Sequence, residues 1–82
     1  MITVVGAPWC NWCSMVKEFL TMHDIEFIDL EPSFLELQEI LAPYDVTTIP
    51  QVFIGDPRGT DPVTRIGGYE DTVTWVNSGK PM

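Results

Sequence analysis

Apolar residues fall in two rhythms along the 82-residue chain. Ile2, Thr3, Val4 and Val5 form a short β-branched run, closed by Gly6, Ala7 and Pro8, and predict a buried strand. From Asn11 the rhythm changes. Trp12, Val16, Phe19, Leu20 and His23 recur at helical spacing and predict a helix from Cys10 or Asn11 to about Met22. Ile25, Phe27 and Ile28, alternating with Glu26 and Asp29, predict a second strand over 25–30. A helix joins it to the first strand, so the two should be parallel, with a right-handed crossover. Glu31, Pro32 and Ser33 mark a turn and a helix entry. Phe34, Leu37, Ile40, Leu41 and Tyr44 then outline the buried face of a second helix, which should stop at Ala42 because Pro43 cannot continue it.

In the second half, Pro50 stands where a strand tolerates a proline, at the head of Gln51, Val52, Phe53 and Ile54. Val63 to Ile66 is a fourth strand. The stretch between them, Gly55 to Pro62, is dense in turn-forming residues, so the pair predicts an antiparallel hairpin with a long tip. Gly67 and Gly68 are a break where backbone can approach a ligand closely. Thr72, Val73, Trp75 and Val76 predict a short last helix over 71–76, ended by Ser78, Gly79, Lys80 and Pro81. The order is β-α-β-α-β-β-α, an α/β pattern without internal repeat or linker. It predicts a single domain, 1–82, with a core near the lower limit for independent folding.

Composition narrows the functional classes. A hydrophobic fraction of 45% speaks against disorder. Twelve acidic residues against 4 basic ones give a net charge of −8, which repels phosphate backbones and anionic lipid. Nucleic acid and membrane are therefore not expected partners. With no run of about 18 apolar residues and no basic, apolar leader, the expectation is a soluble, full-length, cytoplasmic chain, and a monomer. The acidity itself either serves solubility or steers partners that carry a basic face.

Candidate chemistry lies in one place. The only cysteines, Cys10 and Cys13, stand three residues apart where strand passes into helix. One helical turn puts their Cα atoms about 5 Å apart, within the span of a disulfide, so the pair can open and close in place. Cys10, at the mouth of the helix, would face unpaired N–H groups and the positive end of the dipole, which favour a thiolate; Cys13, one turn in, would stay protonated and act second. A structural disulfide fits poorly, because so small a loop constrains the unfolded chain little. A metal site fits poorly too, since zinc takes about four ligands and only Cys10, Cys13 and His23 are on offer.

With those residues in view, the chain resembles a glutaredoxin. The resemblance rests on Cys10-Asn11-Trp12-Cys13, on Thr48-Ile49-Pro50, on Gln51-Val52-Phe53-Ile54, and on Gly67-Gly68-Tyr69-Glu70-Asp71, in that order and over nearly the whole chain. It implies a thioredoxin-like fold, a four-stranded mixed sheet flanked by three helices, with a cis bond before Pro50. It also implies a glutathione site. The Ile49 backbone, with Thr48 and Pro50 beside it, would pair with the glutathione cysteinyl backbone as a miniature strand addition. Gly68, Tyr69, Glu70 and Asp71 would hold the γ-glutamyl end, where carboxylates suit its amino group and the helix start suits its carboxylate. Trp9 and Trp12 are candidate substrate contacts.

The chain also departs from that family. No lysine precedes the active-site turn, where Val5, Gly6 and Ala7 stand, and the second helix offers only Gln38 to a glycyl carboxylate. This predicts weaker glutathione binding than in a member with the lysine. Lys17 reads as a solvated helix residue, and His23 as a packed or dipole-complementing group. The implied activity is reduction of protein disulfides or glutathione mixed disulfides, with glutathione as co-substrate, no metal, and disulfide-bearing proteins such as ribonucleotide reductase as partners. One alternative is a redoxin of the same fold served by thioredoxin reductase. A non-enzymatic alternative is an iron–sulfur cluster carrier, with the cluster shared between two chains.

Overall fold

The computed structural model describes residues 1–80, so the last two positions of the expected domain lie outside the described residues. Strand β1 (Ile2–Val5), helix α1 (Asn11–Met22), strand β2 (Phe27–Leu30), helix α2 (Phe34–Leu41), strands β3 (Gln51–Ile54) and β4 (Thr64–Gly67) and helix α3 (Tyr69–Asn77) follow in the expected order. The sheet runs β2-β1-β3-β4, with β1 parallel to β2 and antiparallel to β3, and β3 antiparallel to β4. This is the four-stranded mixed sheet of a thioredoxin-like fold.

The central position of β1 follows from its sequence. Four successive residues without a charge can be buried on both faces, and all four are. Alternation then sends Val4 toward Val16 and Leu20 of α1, with Ile66, Trp75 and Val76 around them. Val5 faces the other side, where Leu41, Leu37 and Ile40 of α2 pack with Phe53. Buried Thr3 is satisfied by donating its hydroxyl to the Gly55 carbonyl at 2.7 Å.

The element boundaries differ from expectation at four places. Strand β2 begins at Phe27, because Ile25 belongs to the helix terminus: its N–H reaches the Leu20 carbonyl at 2.9 Å while Asp24 sits left-handed at φ 57°. That 6→1 bond is a Schellman-type ending, and it consumes the residue the strand pattern had claimed. Helix α2 ends at Leu41, and Pro43 enters a short 3-10 turn, Ala42–Tyr44. Phe34 does not face the core; at 71% exposure it lies on the open side of the first turn of α2. Strand β4 is shifted by one residue, to 64–67, and α3 starts two residues early, with Gly68 as its N-cap.

Candidate active site

The turn after β1 is tied at both ends. Gly6 N–H donates to the Leu30 carbonyl at 3.0 Å, and Cys10 N–H donates back to Ala7 at 3.2 Å. Cys10 is thereby the N-cap of α1, extended at φ −90° and ψ 114°, and its sulfur accepts the Cys13 N–H at 3.2 Å. Cys10 is buried at 7% exposure and Cys13 more completely, at 1%. The Cys10 thiol makes a long contact, 4.0 Å, with the Ile49 carbonyl.

Cys13 is held protonated. Burial pushes its thiol up to about 12, helped by a hydrogen bond to Cys10; a backbone hydrogen bond to Ala7 and, less, the charge of Lys17 work the other way. Gly6 makes this packing achievable: a Cβ there would stand 2.6 Å from Cys13 Sγ. The sequence offered no sign of that role beyond the glycine itself.

The remaining site residues converge. Trp12, Thr48, Ile49, Pro50, Gly68, Tyr69, Glu70 and Asp71 line one cleft of about 310 Å³. The Ile49–Pro50 bond is cis. Cys10 is not in the lining but lies beside it, next to Ile49. Trp12 leans on Tyr69 with ring centroids 5.6 Å apart, which joins the first turns of α1 and α3 into one wall. Trp9 is outside the cleft, exposed at 77% on the turn.

Several residues are otherwise employed than expected. Gly67 has φ 127°, and a Cβ there would run into the Asp71 carboxylate, so the glycine serves the chain's own turn. Asp71 Oδ2 accepts the Gly68 N–H at 3.2 Å, half of a capping box, which leaves its second oxygen and all of Glu70 for a ligand. Lys17, on an accessible part of α1, is also paired: its ammonium reaches Asp29 at 3.2 Å and Glu31 at 3.6 Å, tying α1 to β2 and the residue after it. Burial lowers its pKa, but the hydrogen bond to Asp29 and the two carboxylate charges outweigh that and raise it. Gln38 lines a separate groove, with Phe34, Leu41 and Thr47, rather than the cleft. His23 caps the end of α1, its ring tilted at 47° against Phe19 with centroids 4.4 Å apart. Among the described residues no three His, Cys, Asp or Glu side chains group as metal ligands would, and no helix is long and apolar enough to cross a membrane.

The glutaredoxin family model matches residues 2–57, more than half of the chain and the whole dithiol turn. The chain belongs to the glutaredoxin family. A glutaredoxin of Neisseria meningitidis serogroup A is 28% identical over 76 residues, covering 85% of this chain and 78% of that one. Among solved structures, wheat glutaredoxin is 28% identical with a TM-score of 0.73, covering 96% of this chain and 71% of its own. A buckwheat glutaredoxin–glutathione complex has the same fold at 24% identity, TM-score 0.74, over 96% of this chain and 70% of that one. As a glutaredoxin the protein is a thiol–disulfide oxidoreductase. The matched span includes the cleft's Thr48, Ile49 and Pro50, whereas Gly68 to Asp71 lie beyond it.

Proposed function

We propose that this glutaredoxin is a glutathione-dependent dithiol oxidoreductase that reduces protein disulfides and glutathione mixed disulfides. The observation that carries the reading is the cleft itself. Backbone from Thr48 to Pro50, the N-terminus of α3 and the carboxylates of Glu70 and Asp71 meet in one space beside Cys10. Glutathione offers a matching set: a peptide backbone, a carboxylate for the first turn of α3, and an amino group for the acids. That a glutaredoxin of the same fold has been seen with glutathione supports the choice of ligand.

The exchange proceeds in two steps. Cys10 thiolate attacks a sulfur of the substrate disulfide; that S–S bond breaks, a mixed disulfide forms on Cys10, and the displaced thiolate leaves. When the sulfur held on Cys10 is glutathione's, a second glutathione thiolate attacks that glutathionyl sulfur, glutathione disulfide leaves and the Cys10 thiolate returns; alternatively Cys13 attacks the Cys10 sulfur. When Cys13 attacks, its proton passes to the departing thiol and the Cys10–Cys13 disulfide remains for glutathione to reduce. Trp9 and Trp12 give protein substrates an apolar border to rest on, and ribonucleotide reductase is one substrate of the right chemistry. The protein would act as a monomer in a reducing compartment such as the cytoplasm.

A second reading has its own support. No lysine precedes the turn, and one Asp71 oxygen is already committed to Gly68. Both weaken the hold on glutathione and suit a redoxin reduced by thioredoxin reductase. Steady-state reduction of a mixed disulfide between glutathione and a small thiol separates the two. Turnover coupled to glutathione and its reductase is the expected result; turnover with thioredoxin reductase alone would replace the first reading by the second.

A further inference from the structure

Gln51 is the first residue of β3, only 4% exposed, and it sits directly behind the Thr48–Pro50 edge of the cleft. Its side-chain nitrogen donates to the Thr48 carbonyl at 3.1 Å and to the Thr48 hydroxyl at 3.3 Å. Its side-chain oxygen accepts from the Arg65 guanidinium at 3.2 Å. The direction of this chain is forced. A guanidinium only donates and a backbone carbonyl only accepts, so one orientation of the amide alone serves both neighbours. Arg65 reaches Gln51 from β4, where it pairs with Phe53 beyond the register shift between Val52 and Phe53.

The employment of Arg65 is unusual for so acidic a chain. Lys17 and Arg58 are each paired with carboxylates, whereas among the described residues no carboxylate lies within ion-pair distance of Arg65. Its guanidinium is directed at an amide. We propose that Gln51 and Arg65 are positioning residues for substrate recognition, holding the Thr48–Ile49 peptide in the orientation that presents the Ile49 backbone to the substrate.

The link is geometric. A trans peptide is planar, with its C=O and N–H pointing in opposite directions. Fixing the Thr48 carbonyl on buried Gln51 therefore turns the Ile49 N–H to the other side, away from the core. Without the amide, the Thr48–Ile49 plane can rotate and the N–H loses its aim. Arg65 acts one step further back: by occupying the amide oxygen it prevents the flip that would set oxygen against the Thr48 carbonyl. The proposal rests on the reading that the Ile49 backbone binds substrate. It adds two residues outside the cleft lining to that task.

Three variants test it: Gln51→Glu, Arg65→Met and Arg65→Lys. Glutamate keeps the size of Gln51 and still accepts from Arg65, but places an oxygen against the Thr48 carbonyl. The expected result is a KM for the glutathione mixed disulfide raised about fivefold in Gln51→Glu, the range one lost buried hydrogen bond allows, with kcat within about twofold of wild type. Arg65→Met should raise KM about twofold, and Arg65→Lys, which can still donate to the amide oxygen, should restore it. Thermal melts alongside separate positioning from stability. Unchanged KM in all three variants would overturn the proposal, as would a lowered melting temperature with unaltered kinetic constants. The same set is read against a short peptide disulfide with dithiothreitol as reductant. A wild type silent toward glutathione would then sink the glutathione reading, while the KM ratio of Gln51→Glu on the peptide decides this proposal.

Discussion

Helix α2 and helix α1 begin in chemically opposite ways. At α2, the Ser33 hydroxyl accepts the Glu36 N–H at 3.3 Å and donates to the Glu36 carboxylate at 3.2 Å, so the end is satisfied by its own residues. At α1, a cysteine takes the place of the serine, and its larger, softer sulfur accepts the Cys13 N–H at 3.2 Å. Helix α3 goes further and starts on Gly68, with no side chain to cap it and only Asp71 reaching back. Both helices whose N-termini meet the cleft have given up an ordinary cap. Their first-turn donors are turned toward the Cys10 sulfur and the cleft, whereas the start of α2 is closed by its own residues.

The sharpest way to break this comparison is to give α1 the cap of α2. Cys10→Ser replaces sulfur by a hydroxyl oxygen, one of the best N-cap acceptors, so the melting temperature should hold or rise. Exchange activity should fall by about 10³-fold or more, because a serine hydroxyl in that position is no nucleophile toward disulfides. Cys13→Ser should keep reduction of glutathione mixed disulfides and lose only the dithiol route. Equal loss in both variants would show that the two thiols do not divide the work as proposed.

The second effect is one of stability against pH. In the folded, reduced protein Cys13 keeps its proton up to about pH 12, whereas an ordinary thiol releases it near 9. Between those values the folded state binds more protons than the unfolded chain, so stability declines as pH rises. Below about 9 both states are protonated and the contribution is complete. Reduced wild type should therefore lose stability from pH 9 upward faster than Cys13→Ala, by up to about 1.4 kcal/mol per pH unit for one proton. Parallel denaturant titrations at pH 8, 9 and 10 measure the difference. Equal slopes would mean that Cys13 ionises as readily folded as unfolded.

Much of this arrangement was legible before any coordinates. The change of rhythm at Cys10, from a β-branched run to helical spacing, places a helix mouth under the first cysteine, and α1 begins at Asn11. The cleft residues could be named because motifs mark them: a proline at 50, a glycine pair at 67 and 68, acids at 70 and 71. What could not be read was which partner each side chain would meet. Phe34 fits the apolar stripe of α2 as well as Leu37 does, yet Leu37 packs against the core while Phe34, at the first turn, is left exposed. Gly6 reads only as a strand ending and Gln51 only as part of a motif, with no local signal of the contacts they make. Their roles arise from Cys13 and Arg65, residues distant in sequence that the sheet brings within reach.

The smallest effect tests the other side of the comparison. Ser33→Ala removes the hydroxyl that accepts Glu36 N–H, and nothing in the cleft touches it. Loss of such a cap costs about 1 kcal/mol, toward the lower part of its range here because Ser33 is exposed and water can take over the N–H. The melting temperature should fall by a few degrees while kcat and KM stay at wild-type values. A change in KM for the mixed disulfide would show that the start of α2, with Phe34 and the groove beside Thr47, communicates with the cleft. The division into a closed structural end and two open functional ends would then fail at its simplest point.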